Sequence, residues 1–275
     1  MPILLSDSKT ALAEIDPGLE YLESQRSWSN RQALFLTQVE KFFAETARSK
    51  LPLERTKTYR LAETLDLDPD FEKLNVPLFD VLASRKTHRI ADALPIDFRE
   101  LSTLLMAAYG LQKRLRPPHA DDTTPHRTTP SPGGLYPSEI YFLAINVRAL
   151  AKGIYHYNPE NAVLEKIPFH WDTELLNRLV MSPQSAEALQ EAAGMILVTS
   201  VFSRLRPKYG NRYLRFALLE VGCICQNLDL VANAMGLALH HNGAVDEYAS
   251  RQLLEIDGQQ ETVLYSAILS GKLPS

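Results

Sequence analysis

Residues 213–239 constrain this chain more than any other stretch. Leu218, Val221, Gly222, Cys225, Leu228, Val231 and Ala232 fall there on overlapping faces at helical spacing. A helix that is apolar on several sides cannot lie on a surface, so the spacing predicts a buried central helix over Tyr213 to Leu239. With 275 residues, 45% of them hydrophobic and 23% charged, the chain has material for one large α+β core and an appendage or for two small domains, and length alone does not decide between them.

The rest of the chain reads as elements around that helix. Ala33, Leu34, Leu36, Val39, Phe42 and Phe43 form an apolar stripe within a helical region running from Ala11 to about Lys50. Residues 51–79, broken by prolines and charges, read as an extended connection, and the domain boundary falls near residue 76. This gives a helical extension over 1–75 and a main domain over 76–275. Asp97 can cap and Gly110 can stop a helix that presents Leu101, Leu104, Leu105 and Ala108 on one face. Strands are expected at 139–147, at 153–157 and 163–167 around the turn Asn158-Pro159-Glu160-Asn161, at 195–202 and at 263–269. Short helices are expected at 173–180 and 185–193, and antiparallel pairing is the simplest arrangement of the strands.

Charge and cysteine usage exclude some function classes. A net charge of −4 argues against a protein that lives on nucleic acid, so any anion site must be local. Cys223 and Cys225, the only cysteines, point to different helix faces and do not suit a disulfide, which fits a reduced, cytoplasmic protein. No apolar run approaches the roughly 20 residues of a membrane span, and Met1 to Lys9 lack the pattern of a signal peptide.

Five segments carry unusual chemistry. Arg85-Lys86-Thr87-His88-Arg89 is a basic cluster set just before the 97–110 helix. Pro130-Ser131-Pro132-Gly133-Gly134-Leu135-Tyr136-Pro137 closes a long irregular stretch, the kind of loop that is commonly functional in a compact domain. Lys208-Tyr209-Gly210-Asn211-Arg212-Tyr213-Leu214-Arg215-Phe216 leads into the long helix. Asn242-Gly243 and Gly271-Lys272 follow. The adjacent His240 and His241 lack a third ligand and are not expected to bind metal. No GxGxxG is present, so a Rossmann dinucleotide site has no support.

In this order the segments resemble the nitroreductase superfamily, and within it the SagB/McbC-type dehydrogenases with their "Lys-Tyr-Gly-x-Arg-x-Tyr-Arg" signature. The resemblance spans about residues 80–272 and departs from the pattern at Gly222-Cys223, where the family often has Gly-His. It implies a mixed α+β homodimer with a mostly antiparallel sheet, flanking helices, and FMN at the subunit interface. The phosphate would be held by Arg85, Lys86, Thr87 and Arg89, as guanidinium forks and donors near a helix start suit a dianion, with Gly271 and Lys272 completing the pocket. Pro130, Ser131, Gly133, Gly134 and Leu135 would line the flavin ring, where bare glycine backbone can approach a flat edge. Asn242 or Gly243 would offer a backbone N–H to flavin N5, and Arg212 and Arg215 belong to the same cofactor set.

The resemblance further implies catalysis by Lys208 and Tyr209. An ammonium beside a phenol favours the phenolate, which makes Tyr209 the candidate proton-transfer group and Lys208 the group that tunes it, with the reverse assignment open. The implied reaction oxidises thiazoline or oxazoline rings of a ribosomal or carrier-bound peptide to azoles, beside a possible cyclodehydratase partner. Two alternatives stand: an NAD(P)H-dependent nitro, quinone or flavin reductase, and a flavin-bound scaffold subunit of a peptide-modifying complex.

Overall fold

The computed structural model describes residues 17–25, 29–49, 54–88, 94–115, 126–168 and 173–272. Two N-terminal helices, α1 (Pro17–Gln25) and α2 (Ser29–Ser49), are followed by the short strand β1 (Thr64–Asp66) and helix α3 (Leu78–Ser84). Next come β2 (Ile96–Asp97) and α4 (Phe98–Tyr109), whose start is fixed where the Asp97 backbone N–H donates to the Glu100 carboxylate at 3.0 Å. Strands β3 (Ser138–Ala144), β4 (Val147–Arg148), β5 (Gly153–Asn158) and β6 (Val163–Ile167) follow, then helices α5 (Thr173–Leu179) and α6 (Pro183–Glu191). The chain closes with β7 (Gly194–Val201), α7 (Arg206–Tyr209), α8 (Tyr213–Ala234), β8 (Leu237–Asn242), α9 (Glu247–Leu254) and β9 (Glu261–Lys272).

Seven strands make one antiparallel sheet in the order β1-β6-β5-β3-β7-β9-β8, while β2 and β4 pair in parallel as a small second sheet. Because successive side chains of a strand point to opposite faces, β3 divides its residues between two cores. Ile140, Phe142 and Ala144 join the cluster under α4 and α8, and Tyr141 and Leu143 join the one beneath α5, α6 and α9. Both faces of the sheet are therefore covered, which is why β3 is buried along its whole length.

Three elements depart from the sequence expectation. The long helix ends at Ala234, short of Leu239, because Gly236 turns the chain at φ +70° and Leu237 begins a strand paired with β9. The apolar run 237–239 suits helix or strand alike by periodicity, and pairing decides it. Helix α9 was not anticipated, although Asp246 accepts from the Ala249 N–H as its N-cap at 2.6 Å. The connection before residue 76 is also no simple linker, since β1 adds an edge strand to the main sheet.

Buried charge fastens that connection. The Lys57 N–H donates to Glu139 at 2.7 Å and its ammonium pairs with Glu261 at 2.8 Å, while the Tyr59 N–H donates to Glu165 at 3.2 Å. His156, fully buried, bridges Glu139 at 2.9 Å and Glu165 at 2.8 Å, and Arg204 reaches Glu139 at 2.6 Å. Burial alone would raise the Glu139 carboxyl, yet Arg204 and His156 bring it down to about 2. Burial pulls His156 down, but its bonds to the two carboxylates win and raise it.

Candidate active site

The Lys208-Tyr209 pair is placed by a tight path. Strand β7 ends at Val201, a 3-10 turn covers Phe202–Arg204, and α7 places Pro207 in its first turn, where a missing N–H costs nothing. Leu135, Phe202, Leu205, Tyr209 and Ala217 then form one apolar cluster, so the turn is locked against the start of α8. Lys208 is left 5% and Tyr209 8% exposed.

Both side chains end at the glycine segment. Gly133 and Gly134 adopt φ +62° and +64°, left-handed conformations that favour glycine. A Cβ on Gly133 would lie 2.3 Å from Lys208 Nζ and 2.7 Å from the Tyr209 hydroxyl, so the bare backbone makes room for the pair. Burial pushes the Lys208 amine below the ordinary lysine range and the Tyr209 phenol above its own. This runs against the expected tuning, because desolvation penalises the charged form of each group. Burial thus favours the neutral form of each group, the free amine of Lys208 and the protonated phenol of Tyr209.

The glycine segment is braced from below. Ser131 Oγ accepts from the Tyr136 N–H at 2.8 Å, and Arg127, 2% exposed, lies between the rings of Tyr109 and Tyr136 at 4.6 Å from each. Glu220 of α8 accepts from the Tyr109 hydroxyl at 3.0 Å and the Ser138 N–H at 3.3 Å. Its carboxyl is raised by burial, against the lowering effect of Ser131, Ser138 and Tyr109. Pro130 stays at the surface and Leu135 is buried beneath the turn.

The basic cluster meets the other end of α8. Arg85 donates to Asp229 at 3.1 Å, and His241 Nε2 lies 3.4 Å from the same carboxylate. Lys86 and Thr87 are exposed beside them, and Arg89 lies outside the described residues. The Gly271 N–H donates to the Leu94 carbonyl at 2.7 Å, and Lys272 pairs in register with Leu237, so the end of β9 closes onto the chain that follows the cluster. Asn242 Oδ1 accepts from the Ala244 N–H at 2.9 Å, while its buried Nδ2 has no hydrogen-bond partner. Gly243 is exposed at the same bend, near the Tyr265 ring.

Helix α8 joins the two ends. Ala217 packs with Tyr209, and the residues that follow it at steps of four, Val221, Cys225 and Asp229, continue one stripe to Arg85 over roughly 18 Å. A cavity of about 390 Å3 opens along this stripe, lined by Val221, Gly222, Cys225, Asp229, His241 and Tyr265. Leu264 lines it too and also packs on the Tyr209 cluster. Cys225 is pushed up to about 12 by burial and by Asp229, so it is no nucleophile.

Two expected cofactor residues face elsewhere. The Arg212 guanidinium lies 4.6 Å over the Phe35 ring of α2, and Arg215 interacts with Tyr21 of α1. Asp229, Glu220 and Arg127 carry no role in the sequence expectation. The first two were legible as carboxylates interrupting an apolar helix, where burial demands a partner.

Comparison with known proteins identifies the family. Residues 82–272 match the Nitroreductase family. The protein MJ1384 of Methanocaldococcus jannaschii, which carries a provisional nitroreductase name, is 30% identical over 197 residues, covering 71% of this chain and 92% of its own. The microcin B17-processing protein McbC of Escherichia coli is 29% identical over 167 residues, 59% of this chain and 58% of McbC. Among solved structures, a protein from Anabaena variabilis with a provisional nitroreductase name superposes with a TM-score of 0.65 at 23% identity, over 80% of this chain and 44% of that one. A chain of the E. coli microcin synthetase McbBCD complex with truncated pro-MccB17 bound gives 0.59 at 20% identity, over 96% of this chain and 100% of that one. By fold, by sequence and by the placement of its motifs, the chain belongs to the nitroreductase family, a family of oxidoreductases.

Proposed function

We propose that this protein is an FMN-dependent dehydrogenase of the SagB/McbC type that oxidises thiazoline or oxazoline rings of a peptide, ribosomal or carrier-bound, to thiazole or oxazole. The observation that carries this reading is the meeting of Lys208 and Tyr209 at Gly133. McbC, a microcin-processing protein by name, supports it at 29% identity.

The residues present suit FMN. Arg85, Lys86 and Thr87 offer cations and a hydroxyl for a phosphate. Gly133 and Gly134 offer bare backbone, Asn242 Nδ2 is a buried donor with no protein partner, and the cavity lined by Asp229, His241 and Tyr265 is of ligand size. When bound, FMN supplies the two-electron acceptor for the hydride that leaves one azoline ring carbon.

The chain's own residues manage the proton. The hydrogen on the ring carbon between C=N and carbonyl is acidic, and the Lys208 amine, made more available as a base by burial, takes it. Tyr209 stays protonated and donates to the carbonyl oxygen, where negative charge builds as that proton leaves. Loss of proton and hydride together leaves the aromatic ring. The same burial keeps water from both groups.

As a homodimer, the protein would cover Leu78, Phe79 and Leu82 of α3 and Leu218 and Leu219 of α8, all exposed in the single chain. Among the described residues no helix is long and apolar enough to cross a membrane. The enzyme would work in the cytoplasm, beside a cyclodehydratase.

The test is turnover of a preformed thiazoline peptide by the purified yellow protein. Lys208→Ala and Tyr209→Phe should each lower azole formation about a hundredfold while FMN stays bound. Unchanged turnover in both ends the proposal. The second reading, an NAD(P)H-dependent reductase, is favoured by the provisional nitroreductase name of MJ1384 at 30% identity. Rapid bleaching of the bound flavin by NAD(P)H in stopped flow would select it.

A further inference from the structure

Helix α2 lies outside the segment matched to the family, yet it is seated on the Lys208-Tyr209 turn. Gln38 Nε2 donates to the carbonyls of Arg206 at 3.2 Å and Pro207 at 3.3 Å. Gly210 holds φ +50°, and a Cβ there would come within 2.7 Å of Gln38 Oε1, so the seat needs glycine twice over. Phe35 stacks on Tyr209 with 6.4 Å between ring centroids and 20° between planes. Further along the helix, Lys208 Nζ lies 4.4 Å from the centroid of Phe43 and 5.7 Å from that of Phe42.

We infer that α2 completes the active site, and that Phe43, with Phe42 beside it, is a positioning residue holding the Lys208 ammonium at Gly133. This rests on the catalytic reading of Lys208 given above. Phe43 is 55% exposed, so core packing does not account for its place over Lys208. No ion pair competes for the amine among the described residues. The groups facing it are the Tyr209 phenol, the two α2 rings and the Gly133 backbone. The flanking arginines are engaged elsewhere, Arg206 over Phe202 and Tyr213 and Arg212 over Phe35, and Lys41 and Glu45 of α2 pair with each other at 3.7 Å.

The two rings act on the amine in opposite senses. Their bulk excludes water and favours the neutral form, while the negative face of each ring attracts the cation. Holding Lys208 between these effects keeps it ordered in one place and able to accept and release a proton. An aliphatic residue at position 43 would keep the cover and lose the attraction.

The experiment is competitive labelling of the full-length, flavin-loaded protein with trace acetic anhydride across pH, with acetylation of the Lys208 peptide read by mass spectrometry. Phe43→Leu should move the labelling midpoint to lower pH by about half a unit, since a cation–π contact favours the charged amine by that order. Phe43→Tyr should restore the native midpoint. Circular dichroism should show both variants folded, as Phe43 itself is half-exposed. Gln38→Ala, which loosens the seat of α2, should raise Lys208 acetylation at every pH. Turnover of the azoline peptide should fall about tenfold in Phe43→Leu and recover in Phe43→Tyr. An unmoved midpoint in Phe43→Leu overturns the inference whatever the turnover. Full activity of Lys208→Ala would instead remove the catalytic reading and leave the labelling result standing.

Discussion

Arg85, from the chain just past α3, donates to the Asp229 carboxylate of α8 at 3.1 Å. The pair ties a surface basic cluster to the long helix and holds one guanidinium on a carboxylate that lines the cavity. Its Asp229 side is nearly buried and its Arg85 side is about one-third open, so Arg85 keeps donors for an anion. Arg85→Ala should therefore weaken FMN binding about ten- to a hundredfold, the loss of a hydrogen bond to a charged group, without unfolding the domain. Equilibrium dialysis of the flavin measures this, and an unchanged Kd would remove Arg85 from the phosphate site.

Gly133→Ala should damage the site without removing any functional group. The new methyl would meet Lys208 Nζ and the Tyr209 hydroxyl, and the φ of +62° costs an L residue about 1 kcal/mol. Turnover should drop roughly a hundredfold as the pair is displaced, against a loss of only a few degrees in Tm. Steady-state kinetics beside a thermal melt distinguishes this from general destabilisation.

The buried carboxylate network predicts acid sensitivity. Glu139 sits at about 2 in the folded chain against an ordinary 4.5, so it contributes stability above the ordinary value and that contribution is lost as pH falls toward 2. His156 has the opposite sign. Its raised value gives stability that is full below 6.5 and lost as pH climbs through the folded value. Arg204→Met should cost about 3–5 kcal/mol at neutral pH by leaving Glu139 without its main cation, and the deficit should shrink in acid as the carboxyl protonates. Urea unfolding of the two proteins at several pH values tests the sign directly.

Asn227 joins three parts of the main domain. Its Nδ2 donates from α8 to the Ala108 carbonyl at the end of α4, at 3.0 Å, and to Thr129 Oγ1 before the glycine segment, at 2.9 Å. Asn227→Leu should lower stability by about 2 kcal/mol and raise hydrogen exchange around Thr128 to Gly134 before the rest of the sheet. Uniform exchange in the variant would show that the side chain does not brace the turn.

The sequence alone determined the long helix from Tyr213, the strand pattern and the motif residues, because helical and strand periods, caps and glycine turns are written in residues a few positions apart, but not which of its apolar residues are buried, since Leu218 and Leu219 stay exposed in the single chain. It could not decide where that helix stops. The run Leu237 to Leu239 is apolar by either period, and only pairing with β9 makes it strand. Nor could it set the proton affinities of Lys208 and Tyr209, since adjacency in the chain suggests one tuning and burial against Leu135, Leu205 and the α2 rings imposes the opposite one. The stripe from Tyr209 to Arg85 along α8, Asp229 included, likewise exists only once the chain is packed. Desolvation and long-range contact depend on which distant segments exclude water from a group, and that is a property of tertiary structure.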